Sequence, residues 1–594
     1  MWASSGLVLS LLIISACNSK DPSAVASSGR ISPTYQGPAE ASYCSTITSY
    51  SGLTTTVSGT ATYTRRNPWG VSGAGFGGLG SSSTGGVHPA SNHPIRRAEV
   101  RVTDASGALV QCAETNNVGL YSLVLPRGST TYTISVISRS SNAYLNASVL
   151  NRPEQNLFYS LQGTVVPTAA TATLNLTATA TGDVIAGAFN IHDQMLNAND
   201  YLRAQVGTCV VCGNTTFTVA PKVVAYWEKG FNPNSYFGST SGLSFYLPGY
   251  SRLFILGGQN GDVDSSDTDH FDGSVIIHEY GHFLEDSVFS SDSPGGSHNG
   301  NNIIDPRLAW SEGWGNFFQA AVRSEALYVD TLGNDDGSTH LIYYANLETA
   351  SSGNDNPVAQ GEGNFREFSV TRLLWDAIDA AADGPTNGAT DNIVSLQFDE
   401  IWAALTKTNT GFNDTDWAFR SVGHLHYGQQ ALAATNWSTI RTIEFHDGDT
   451  DEYAEYVTAA GACSYLLTPA AGGASLSSSD LFRNNDFYHL KITSSASYTI
   501  RLDYSDADSA GTEADIDLYL YNESARFGTA ADTLIYSRAT NDGNPTTAQA
   551  ETFTITLAPG NYLINVNAYV GGATGTAVNY TVQLNGAQLC PAIL

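Results

Sequence analysis

In the stretch Val275-Ile-Ile-His278-Glu279-Tyr-Gly-His282-Phe-Leu-Glu-Asp, two imidazoles stand four residues apart and a carboxylate sits beside the first. On a helix, residues at that spacing lie on one face a turn apart, so His278 and His282 point the same way. Neutral imidazoles so placed can ligate one Zn2+, and Glu279, one step round, can reach a water held by the metal. The competing reading makes both histidines surface residues paired with Glu279 and Glu285. A tetrahedral catalytic site needs a third protein ligand and keeps its fourth position for water. Downstream, Leu308-Ala-Trp-Ser-Glu312-Gly-Trp-Gly-Asn316-Phe-Phe sets Trp310, Trp314, Phe317 and Phe318 at the spacing of a buried helix. Glu312 falls within that apolar face, where a carboxylate is costly without a partner. Zinc supplies one; Arg307 is the rival partner.

The two segments together carry a resemblance. HEYGH followed about thirty residues later by SEGWGNFFQAA resembles the gluzincin metallopeptidases, and most of all the fungalysin group with its HEYxHG and GEGWSDFFA motifs. The resemblance implies an α+β, thermolysin-like domain with His278, His282 and Glu312 as zinc ligands and Glu279 as general base. EFSVTRLLWDAID is similar to a further helix of that group, and AGAFNIHDQMLNANDYL to the start of its catalytic domain. Two positions depart from the pattern. The family's Asp four residues after the ligand Glu is Asn316 here, whose amide oxygen can still accept a bond from a ligand histidine but without the charge that raises ligand basicity. Phe283 stands where the family has Gly and is expected to narrow the cleft.

The implied mechanism is peptide hydrolysis, expected of an endopeptidase, by a zinc-activated water, with Glu279 moving the proton to the leaving amine. An oxyanion donor is sought among His340, Tyr343 and Tyr344, or His424, His426 and Tyr427. Each of these is more often structural, and none enters the catalytic set. Two runs of acids, Asp262-Val-Asp264-Ser-Ser-Asp267-Thr-Asp269 and HDGDTDEY (446–453), have the alternate carboxylates that suit Ca2+. Neither is a full EF-hand loop, and solvated loop acids are the favoured reading.

Around this middle segment, placed at 183–460, the chain is β-patterned. A length of 594 residues asks for several domains, and 42% apolar against 14% charged residues suits folded domains rather than disorder. Residues 51–182 alternate Val, Thr, Tyr and Ile at period two, as in AEVRVTD and LYSLVLP, which argues a β-sandwich. RRAEVRVTD…GLYSLVLPRGSTTYTISV resembles the carboxypeptidase regulatory-like domain, with a Gly/Ser-rich insertion at about Val71–His93. Residues 464–594, with ADIDLYLYNES and APGNYLINVNAY, resemble the bacterial pre-peptidase C-terminal β-sandwich; Asp515 and Asp517 there are read as solvated acids before calcium ligands. The fold class expected is thus an α+β metallopeptidase domain flanked by all-β sandwiches.

A net charge of −29 repels phosphates and argues against nucleic-acid binding. The run LVLSLLII ending in Ile-Ser-Ala-Cys17 has the form of a signal peptide (1–17) and resembles a bacterial lipobox, which implies a lipid on Cys17 and a membrane-anchored or secreted protein of a bacterium. The n-region lacks Lys and Arg, and a plain secretory peptide is the other reading. No further segment is long and apolar enough to span a bilayer. Residues 18–50, rich in Ser, Ala and Pro, read as a tether. Six cysteines remain after Cys17, and region pairs Cys44 with Cys112, Cys209 with Cys212 and Cys463 with Cys590, one of 15 connectivities.

Two rivals stand beside the peptidase. One is a surface adhesion or polymer-binding protein whose peptidase core is vestigial, a reading that Asn316 and the large β fraction favour slightly. The other is a zinc hydrolase acting on something other than peptides. Substrate preference and oligomeric state are not written in the sequence.

Overall fold

The computed structural model describes residues 39–44, 49–66, 82–83, 90–180, 185–207, 217–239, 241–259, 261, 266–289, 291, 293–296, 298, 300, 304–332, 340–347, 366–379, 397–405, 455–458, 465–467, 485–505, 514–522, 537–539, 549–570 and 578–592. Cys17, Asp262, Asp264, Cys209, Cys212, His424, His426, Tyr427, the 446–453 acids and Cys463 lie outside them.

Period-two burial builds the first unit. Along the strand Thr54–Arg66, Val57, Ala61 and Tyr63 are buried while Ser58 is exposed. The strand Leu120–Pro126 repeats the pattern with Tyr121, Leu123 and Leu125, and the two pair antiparallel. A second sheet orders the strands Ser160–Val165, Tyr132–Ile137, Glu99–Thr103 and Leu109–Glu114. Val100, Val102, Ile134 and Val136 from this sheet share one core with Val57, Tyr121 and Leu123 from the first, which is a sandwich. The Cys44–Cys112 disulfide is present, with Cα atoms 5.7 Å apart. The end of the expected tether is therefore fastened, and Glu40 also accepts a 2.8 Å bond from Ser148 Oγ. Cys590 is disulfide-bonded too.

A mixed sheet crosses the expected boundary at 182/183. Strands Arg139–Ser141 and Asn146–Leu150 precede it, yet Asn146–Leu150 pairs parallel with Val223–Tyr226, which pairs parallel with Arg252–Phe254. Leu145, Ala147 and Val149 enter the same core as the helices that follow.

Among the described residues, five α-helices surround that core: α1 (Ile185–Val206), α2 (Gly273–Ser287), α3 (Pro306–Arg323), α4 (Glu367–Ile378) and α5 (Phe398–Leu405). Helix α1 is buried around most of its circumference. Its Asp193 takes Arg96 Nε at 2.7 Å and Tyr63 OH at 2.9 Å, which clamps it to the sandwich. Asp305 caps α3 by accepting from Arg307 N at 2.9 Å, and Pro306 opens the helix where its missing N–H costs nothing. Helices α2 and α3 cross at Gly281 and Gly315, where a Cβ on Gly281 would lie 3.4 Å from Gly315 Cα. Trp314 Nε1 donates to Gly281 O at 3.1 Å and locks the crossing. Truncating so large a buried ring costs about 3–5 kcal/mol.

The C-terminal sheet is almost wholly antiparallel, and its inner face buries Tyr488, Leu502, Leu518, Ile564 and Val582. The strand Glu455–Thr458 belongs to it, pairing with Asn485–Ile492 and Ala587–Ala592. Multiple sandwich-like β-sheets thus flank the helical middle. No helix among the described residues is long and apolar enough to cross a membrane.

Candidate metal centre

The apolar Val275, Ile276 and Ile277 bury the first turn of α2 and fix its rotation, so His278 and His282 face α3. The close Gly281–Gly315 crossing then brings Glu312 opposite them. His278 Nε2 lies 3.2 Å from Glu312 Oε2, His282 Nε2 lies 3.3 Å from the same oxygen, and the two Nε2 atoms are 3.0 Å apart. Ligands at about 2.0–2.1 Å around a tetrahedral Zn2+ stand about 3.3 Å from one another. The three edges match that spacing, and all three residues are buried. The donor set of two imidazoles and one carboxylate suits zinc, and Glu312 Oε1 is buried with no hydrogen-bond partner among the described residues. Burial alone would raise the pKa of Glu312, but His298, His282 and His278 outweigh it and hold the carboxyl well below its usual range. Arg307, the rival partner for Glu312, is engaged by Asp305 through Nε at 2.9 Å and Nη2 at 2.8 Å.

Glu279 lies beside this cluster, also buried, and its Oε2 has no hydrogen-bond partner among the described residues. Burial raises its pKa, against the lowering effect of His278 and His282.

What holds the histidines was only partly foreseen. His282 Nδ1 lies 3.2 Å from Ser311 Oγ, which donates to Glu285 Oε2 at 2.5 Å. That chain assigns the proton to Nδ1 and leaves the Nε2 lone pair facing Glu312. His278 packs its ring on Gly315: a Cβ there would meet Nδ1 at 2.8 Å. Asn316 departs from expectation. Its Nδ2 donates to Glu367 Oε1 at 2.7 Å, while its Oδ1 has no hydrogen-bond partner among the described residues. Glu367 is a buried acceptor that needs donors, and the Asn316 amide supplies one. Phe283 does not narrow a cleft; it is buried in the core against Tyr246 and Tyr280.

Sequence reasoning missed His298 and Glu367. His298 Nδ1 is 2.8 Å from Glu367 Oε2, and its Nε2 is 3.5 Å from Glu312 Oε1. A lone loop histidine carries no spacing signal. Glu367 opens a helix whose pattern was noted, and a buried acid at that position was the available hint. Of the oxyanion candidates, His340, Tyr343 and Tyr344 lie on the strand His340–Asn346.

The acid run before α2 also differs from expectation. Asp269 is buried, not solvated, and Asp330 from the strand Leu327–Leu332 joins it and Asp267. Burial, and then the charges of neighbouring aspartates, push Asp267 and Asp269 well above the usual carboxylate range, and burial pushes Asp330 up to about 6. Of the C-terminal acids, Asp517 Oδ2 accepts from Tyr519 OH at 3.1 Å.

Comparison with known proteins gives, among others, four matches. The family described as Mycolysin C-terminal domain matches residues 211–439, a span that contains the segments of α2 and α3 and points to a peptidase. An uncharacterised protein of Archaeoglobus fulgidus is 29% identical over 153 residues, which cover 24% of this chain and 40% of that relative's length. Among solved structures, the pre-peptidase C-terminal domain of a Bacillus anthracis collagenase is 18% identical, with 20% of this chain and 88% of that one covered at a TM-score of 0.13. A family 35 carbohydrate-binding module from an environmental isolate is 17% identical, with 18% and 71% covered at a TM-score of 0.13.

Proposed function

We propose that this chain is a zinc-dependent peptidase in which His278, His282 and Glu312 hold the metal and Glu279 is the general base. The reading rests on one observation above others: donor atoms of three residues, on two helices, stand 3.0, 3.2 and 3.3 Å apart, the spacing a tetrahedral zinc requires. The family match over 211–439 agrees with it.

When bound, zinc supplies a Lewis acid that polarises a scissile carbonyl and acidifies water. The protein's residues do the rest. Ser311 and Glu285 hold the His282 ring and its proton at Nδ1. Glu279, made a stronger base by burial, accepts the proton of the attacking water at Oε2 and returns it to the leaving amine. The helices α2 and α3 exclude bulk water from the buried side of the site. We extend the proposal to export, with the lipobox-like run ending at Cys17 as the lipid attachment point.

Glu279→Gln tests the reading in the purified full-length protein. Zinc content is expected to stay at the wild-type level while casein cleavage falls by at least about a hundredfold. Undiminished cleavage by this variant would refute the assignment.

A further inference from the structure

A second cluster of acids lies just before the N-terminus of α2. One ligand oxygen from each of Asp267, Asp269 and Asp330 lies within 4.8 Å of the others. Two oxygens on opposite sides of a Ca2+ ion are separated by about 4.6–5.2 Å, so the trio fits within one coordination sphere. Asp330 comes from the strand Leu327–Leu332, more than sixty residues from Asp267, so the cluster is a tertiary product rather than a run of loop charge.

A second observation is independent of the crowding. Asp269 is 3% exposed, and while its Oδ2 accepts from Ser244 Oγ, its Oδ1 has no hydrogen-bond partner among the described residues. Asp267 Oδ1 is buried and without a partner in the same way. Buried carboxylate oxygens are normally satisfied, and a cation is what an all-oxygen cluster of three acids is built to satisfy. Hard oxygen donors in that number select Ca2+ over zinc, which prefers nitrogen and sulfur. Asp272, a further acid among the described residues nearby, is already engaged: it accepts from Thr331 N at 2.8 Å and from Thr331 Oγ1.

We propose that Asp267, Asp269 and Asp330 form a structural Ca2+ site that ties the loop before α2 to the strand Leu327–Leu332. Asp272 is both the N-cap residue of α2 and the partner of Thr331, next to Asp330. The site therefore fixes where the helix carrying His278 begins. It is separate from the zinc donors and does not depend on peptidase activity.

The test uses the full-length protein freed of alkaline-earth ions on a chelating resin, with one equivalent of zinc restored. Calcium chloride is titrated calorimetrically and thermal midpoints are read with and without it. Wild type is expected to bind calcium and melt higher in its presence. Asp269→Asn and Asp330→Asn are each expected to bind one equivalent fewer, or at least about tenfold more weakly, and to lose most of the thermal gain. Because each change removes an ionisable acid from a crowded, buried cluster, both variants should melt at or above wild type when calcium is absent. Zinc content measured in the same samples should be equal in all three, which separates this result from any failure of the zinc reading. Calcium stoichiometry and thermal gain that match wild type in both variants overturn the proposal, as does a wild type that binds no calcium. An equal response to magnesium chloride overturns the choice of ion.

Discussion

His278 Nε2 and Glu312 Oε2 stand 3.2 Å apart although 34 positions separate them in the chain. Two glycines make it possible. Gly281 on α2 and Gly315 on α3 let the helices meet backbone to backbone, and Glu312 then projects onto the histidine face.

The crossing predicts the consequence of a single methyl group. In Gly315→Ala the new Cβ would lie 2.8 Å from His278 Nδ1 and Cε1, closer than real carbon contacts allow. The ring must rotate or the helices must part, so zinc affinity should fall roughly 10–100-fold. Competition with a zinc-binding dye measures this; wild-type affinity in the variant would show that the ring does not depend on the bare backbone.

In the zinc reading, Ser311 acts through His282, whose Nδ1 it meets at 3.2 Å. Ser311→Ala removes the acceptor for Nδ1–H and the donor to Glu285, whose Oε2 accepts at 2.5 Å. Zinc affinity should drop about tenfold or more, and activity should return at saturating zinc. Activity that stays low when zinc is fully bound would assign Ser311 a different role.

Asn316 looks like a weakened site beside the Asp of the fungalysin group that the sequence resembles, but its surroundings give a reason for the amide. Glu367 already supplies a carboxylate 2.7 Å away, and Asn316 Nδ2 donates to it. Asn316→Asp would set two buried carboxylates against each other and remove that donor, at a cost of about 2–3 kcal/mol at neutral pH and less near pH 4, where the new acid is protonated. Chemical denaturation at the two pH values checks it. A variant as stable as wild type at pH 7 would contradict this account of Asn316.

His192 sets an acid limit on the fold. Burial, aided by the Arg96 and Lys222 charges, pushes its imidazole down to about 3, and its Nε2 meets Ser140 Oγ at 2.7 Å. An unfolded histidine titrates near about 6.5. Between those values the unfolded chain holds a proton that the native chain does not. The contribution is therefore fully present above about pH 6.5 and is lost as pH falls towards 3. From pH 7 to 4.5 it amounts to about a hundredfold in the unfolding constant. His192→Gln should remove that part of the pH dependence, read as the difference between variant and wild type; parallel profiles would contradict it.

The sequence made legible what repeats locally. Two histidines a turn apart, and a carboxylate inside an aromatic helix face, are written in consecutive residues, and the structure brings those three together. The sandwich strands were visible because Val57, Tyr63, Leu123 and Leu125 alternate with exposed neighbours. What stayed hidden depends on the meeting of distant segments. His298, Glu367 and Ser311 gain their roles from neighbours at 26 to 69 positions' remove, and no periodicity marks them. The residues 146–150 have strand character, but nothing local says that they pair with Val223–Tyr226 rather than with the sandwich. Asp267 and Asp269 look like loop acids until Asp330 is seen beside them.

The central claim is that two imidazoles and one carboxylate share a zinc ion, and the zinc K-edge absorption spectrum of the purified full-length protein tests it most directly. The account predicts one zinc per chain, with nitrogen and oxygen neighbours at about 2.0–2.2 Å and the imidazole scattering of two histidines. Sulfur at about 2.3 Å, which would point to the Cys209–Cys212 pair instead, or a protein that retains no zinc, would contradict it.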